Sequence, residues 1–92
     1  MSTKLMALAW GVPLRPVEKL VLLALCDQAG DDGMVSPGGD EEALVRGLCA
    51  LLAMPEQAVA AALGVLSEGP HVEWTGGAAI VNEGSMRRAY VD

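Results

Sequence analysis

Pro55 constrains this chain more than any other residue. It follows an apolar repeat of helical period, and a proline ring lacks the N–H and clashes with the preceding turn. The upstream helix must end before it. The same residue suits the first position of a new helix. Two helices are therefore expected to meet at a tight turn near Ala53-Met54. The upstream helix is predicted over 40–53, with Asp40 as N-cap and Glu41 and Glu42 in the first turn. Leu44, Val45, Leu48, Cys49 and Leu52 recur at helical spacing and form its inner face. The downstream helix is predicted over 55–68. Val59, Ala62, Leu63 and Leu66 share its inner side, while Gln57, Ala60, Ala61, Gly64, Val65 and Glu68 share the other.

The flanking segments follow from their own breakers. Residues 1–12 are expected to be a short helix or an extended arm, with Met6 and Trp10 covering the core if helical. Pro16 opens a helix over 16–30, apolar all round from Leu20 to Cys26 and so buried on most sides. Asp31-Asp32-Gly33 is a turn, Met34-Val35 a very short strand and Ser36-Pro37-Gly38-Gly39 a loop. After Gly69-Pro70 the period changes. His71 to Trp74 and Ala78 to Val81 read as a hairpin around Thr75-Gly76-Gly77. Asn82 to Ser85 reads as a second turn and Met86 to Val91 as a last strand or a flexible end. The expectation is one α+β domain over 1–92, a helix-turn-helix unit with three main helices and a C-terminal β-hairpin wing over 71–91.

The 92 residues carry 12 acids against 6 bases, a net charge of −6, which opposes approach to a phosphate backbone. With 52% hydrophobic residues, three aromatics and no Phe, the core must be built from Leu, Val, Ala and Met. A mean hydropathy of +0.37 predicts that some apolar surface stays exposed or meets a partner. Cys26 and Cys49 lie in apolar helical runs and are expected to be buried, reduced thiols in a cytoplasmic protein. The start of the chain lacks a signal peptide's apolar region, and the run from Leu20 to Cys26 is too short for a membrane span.

Asp27, Asp31 and Asp32 lack the alternate-ligand register of a calcium loop, so a solvated turn is expected and no metal or cofactor. His71 is the only histidine, and no Ser–His or Cys–His pair, phosphate-cradling loop or carboxylate pair stands out. No catalytic residue is assigned, and no enzyme is expected.

Lys4-Leu5-Met6 to Trp10, Pro16 to Leu25 and Asp31-Asp32-Gly33 together resemble the amino-terminal winged helix-turn-helix domain of phage replication proteins and their relatives. The resemblance is dense over 4–33 and continues over 54–68, where Pro55-Glu56, Val59, Ala62-Leu63 and Leu66 keep the apolar skeleton of the recognition helix. Residues 34–53 depart from it: the aromatic-proline turn is missing, and the loop is longer and more acidic. The resemblance implies a winged helix. It also implies basic or polar residues on the outer face of the third helix, where this chain has Gln57, Ala60, Ala61, Gly64 and Val65. Relatives of this kind continue into a second domain. This chain ends after the wing, so the functions housed there are not carried over.

Two functions follow as expectations. In the first, the outer face binds protein through Gln57, Ala60, Ala61, Gly64 and Val65, with Asp40, Glu41 and Glu42 meeting a basic surface. The partner would be a host defence or replication complex, as for an anti-CRISPR inhibitor in the host cytoplasm, or a second copy in a homodimer. In the second, the chain is a DNA-binding replication or transcription regulator. Gln57 would then pair with adenine, and Arg87 and Arg88 would touch phosphates, helped by Lys4 or Lys19.

Overall fold

The first helix, α1 (Thr3–Gly11), starts where a buried Ser2 hydroxyl accepts the Leu5 N–H at 3.2 Å. The computed structural model describes residues 2–35, 41–75 and 78–90. Ser2 also donates its own N–H to the Cys26 carbonyl near the end of α2 (Pro16–Gln28). At the opposite end, Lys19 of α2 donates its ammonium to the carbonyls of Ala9, Trp10 and Val12. The last turn of α1 has no basic residue of its own, so Lys19 supplies the charge its carbonyl end favours. The two helices are thereby clasped antiparallel at both ends.

Helix α2 is the centre of the core. All six residues from Val21 to Cys26 are buried, and α1, α3 (Glu41–Leu52), α4 (Glu56–Glu68) and β1 (Met34–Val35) all pack on it. The helix ends at Gln28 rather than 30 and leads into a turn held by Asp32, whose carboxylate accepts the Met34 N–H at 2.9 Å. Gly33 there has φ +83°, and its carbonyl accepts the Val81 N–H at 2.8 Å.

Helices α3 and α4 meet at a bend of 115°. The turn at Ala53 has the left-handed φ of +54°, and Met54 donates its N–H back to the Cys49 carbonyl at 3.3 Å. This six-to-one bond is the Schellman stop, a place where glycine is preferred because it lacks the Cβ penalty. Replacing Ala53 with Gly should raise stability by roughly 0.5–1 kcal/mol, read as a higher urea midpoint at unchanged slope. The inner faces form as expected. Leu44, Val45, Leu48, Val59, Ala62, Leu63 and Leu66 are buried, with Cys49 and Leu52 packed against them.

Strand β2 (Val72–Thr75) and β3 (Ala78–Val81) pair antiparallel, with Val72 opposite Val81 and Trp74 opposite Ala79. β1 joins the other side of β3, placing Met34 opposite Ile80, so the order is β1-β3-β2. Alternation along β3 buries Ala79 and Val81 against the helices.

Two expectations are corrected. The tail after the hairpin is neither a turn nor a strand but helix α5 (Glu83–Ala89). Asn82 caps it through the Ser85 N–H at 3.0 Å, Glu83 sits in its first turn and Arg87 and Arg88 in its last, so the local charges all favour a helix. Met86 anchors it in the core, and it packs on α1, with Glu83 pairing Lys4 at 2.8 Å. The wing expected over 71–91 is thus a hairpin ending at Val81. Trp10 does not cover the core: it is 66% exposed, while Met6 on the same helix packs inward. The described residues form a small α+β protein with five helices and one three-stranded antiparallel sheet, rather than three helices and a hairpin. None of the described helices is by itself long and apolar enough to cross a membrane.

Candidate interaction face

Helix α4 packs on α2, α3 and β2, which leaves one side free. On that side Gln57, Ala60, Ala61, Gly64 and Val65 are all exposed, Val65 by 53%. A Cβ built on Gly64 would meet nothing within 4 Å. Glycine inside a helix is destabilising by roughly 0.5–1 kcal/mol relative to alanine. Among the described residues nothing packs on that position, and Gly47 on the exposed side of α3 stands equally open.

The face slopes into an open groove of about 300 Å³ between α4 and the start of α2. Ala58, Ala61 and Val65 form one wall, and Arg15, Val17 and Glu18 the other. Small side chains on α4 leave the groove open, and the longer side chains of Arg15 and Glu18 set its polar edge.

Apart from Arg15 on the groove edge, the cations are engaged elsewhere or belong to α5. Lys4 and Arg87 both bond Glu83, at 2.8 and 2.9 Å, and hold its carboxyl below the usual range. Arg46 faces Glu42 one turn away on α3, at 3.4 Å. Lys19 is occupied by the carbonyls of α1. Arg87 and Arg88, expected near DNA from the wing side, belong to α5 and hence to the α1 side of the molecule. They are not brought together with Gln57. Of the acids assigned to a partner surface, Glu42 is engaged by Arg46, only the backbone of Glu41 is described, and Asp40 lies outside the described residues.

One pair that sequence reading missed is His71 and Ser85, fourteen residues apart, with Nδ1 and Oγ at 2.8 Å. Ser85 is only 4% exposed, and its hydroxyl donates to the Asn82 carbonyl at 3.0 Å, so it accepts from Nδ1–H. The pair ties the strand entrance to the α5 cap, and Asn82 completes the tie by donating its N–H to the His71 carbonyl at 2.8 Å. Its hydroxyl has no open approach for a substrate.

Partial burial pushes the His71 pKa down from 6.5. The sign follows directly. Above 6.5 both states are neutral at this site, and below it the unfolded chain takes up the proton first. Stability should therefore fall as pH drops from about 7 through the depressed folded pKa. Urea midpoints should show this loss, and His71→Gln should flatten it in that window.

Burial also lifts the free Cys26 thiol to about 12, so it behaves as an inert core residue. Cys49 is partly exposed rather than buried as expected. Among the described residues no group of three His, Cys, Asp or Glu side chains is placed to hold a metal ion. Comparison with family models, with curated proteins and with solved structures returns no match for this chain.

Proposed function

We propose that this chain is a winged-helix-type protein whose recognition-position helix, α4, binds protein instead of DNA. The observation that carries the reading is the outward face of α4: exposed, made of small and mostly apolar side chains, and free of Lys and Arg. Support for the winged-helix part comes from the order of elements, the bent α3–α4 pair with its three-residue turn, and the sheet order β1-β3-β2. Apolar contact on the face is worth roughly 25 cal/mol per Å² buried. A DNA-reading helix instead needs cations around it for phosphate, and here the charge is −6 overall, with four of six cations committed within the fold. Binding to a host defence or replication complex, as an inhibitor would, is one form of this function.

The helix-turn-helix geometry itself favours the second reading, a DNA-binding regulator. A duplex-binding assay at low salt separates the two, because electrostatic affinity is then at its greatest. The expected result is no binding. Duplex binding lost on Gln57→Ala would establish the DNA reading.

A further inference from the structure

We infer that the partner of the α4 face is a second copy of this chain, joined through the groove between α4 and the start of α2. This rests on the reading of α4 as a protein-contact face and names its occupant. Two observations point to it.

The first is an apolar strip leading into the groove. Val65 and Val17 stand on opposite walls, and Leu20 lies one turn after Val17 on α2, 45% exposed. Three of the seven large apolar side chains exposed among the described residues, Val17, Leu20 and Val65, thus lie on or beside the groove.

The second is charge. An isologous interface requires that a surface carry both a feature and its complement, because each copy offers the same patch.

Arg15 and Glu18 stand on the same groove edge, and neither makes an ion pair among the described residues. One cation and one anion side by side are self-complementary across a two-fold axis: Arg15 of each copy meets Glu18 of the other. A foreign partner would have to match both signs, and a basic nucleic-acid-handling surface would be repelled by Arg15.

Charge exchange gives the test. The native chain, Arg15→Glu, Glu18→Arg and an equimolar mixture of the two variants are compared by sedimentation equilibrium at moderate ionic strength, where the repulsion between two −6 chains is screened. The native chain should approach twice its 9.5 kDa mass. Each variant alone brings like charges together and should dissociate at least about tenfold more readily. The mixture should recover the native association, because every pairing across the axis is again opposite in sign. Circular dichroism monitors folding, and if Glu18→Arg fails to fold, Ala61→Arg serves in its place by blocking the seam from an exposed position. A native chain that stays monomeric at millimolar concentration overturns the inference. So does association unchanged in either variant, or not recovered in the mixture. Duplex DNA binding by the same samples at low salt would instead overturn the reading beneath it.

Discussion

Gly33→Ala should lower stability by roughly 3–5 kcal/mol. Gly33 has φ +83°, where any L side chain is strained by about 1–2 kcal/mol. A Cβ there would stand 2.2 Å from the Val81 carbonyl oxygen, and that oxygen is fixed in the backbone of β3. The collision can be relieved only by parting the two strands. That would weaken the bond from the Val81 N–H to the Gly33 carbonyl and the short β1–β3 pairing beyond it. A 92-residue chain has a total stability of about 5–14 kcal/mol, so the loss is a large share of it and, at the low end of that range, leaves a measurable unfolded fraction at room temperature. Urea denaturation followed by circular dichroism reads the change. A loss below about 1 kcal/mol would show that the turn tolerates a different path.

Leu63→Ala is the second large effect, at roughly 2–5 kcal/mol. Leu63 is 1% exposed on the inner stripe of α4, and truncation leaves a cavity that the flanking α2 and α3 fill only in part. Val65 stands two residues on and 53% exposed, so Val65→Ala should change monomer stability by no more than about 0.5 kcal/mol. The contrast matters for function. One helix carries both a face that the fold depends on and a face that it does not, so the outer face can be altered without unfolding the protein. Equal losses for the two variants would mean that Val65 is covered within the chain.

The two faces of α4 were legible because helical period alone separates them: Val59, Ala62, Leu63 and Leu66 recur on one side of a thirteen-residue helix. The Pro55 break and the strand at Met34-Val35 were legible from local chemistry in the same way. Helix α5 was not read, because seven residues with Gly84 and a single large apolar side chain give no usable period. Its signal lay in the ends instead: Asn82 three residues before Ser85, an acid first and two arginines last. The exposure of Trp10 depends on where α1 docks, which no period within α1 encodes. The His71–Ser85 contact and the groove are likewise tertiary, since each joins segments that become neighbours only when the chain folds. The candidate face was therefore visible in outline, while the Arg15–Glu18 edge that completes it was not.

The central claim is that the outward face of α4 meets protein rather than DNA. Amide chemical shifts of Ala60, Ala61, Gly64 and Val65 test it most directly, recorded as the protein is concentrated and then as duplex DNA is added to a dilute sample at low salt. The account predicts that these amides, with Arg15 and Glu18, move with protein concentration and do not respond to the duplex. Shifts of Gln57 and this face on adding DNA, with none on concentrating the protein, would contradict it.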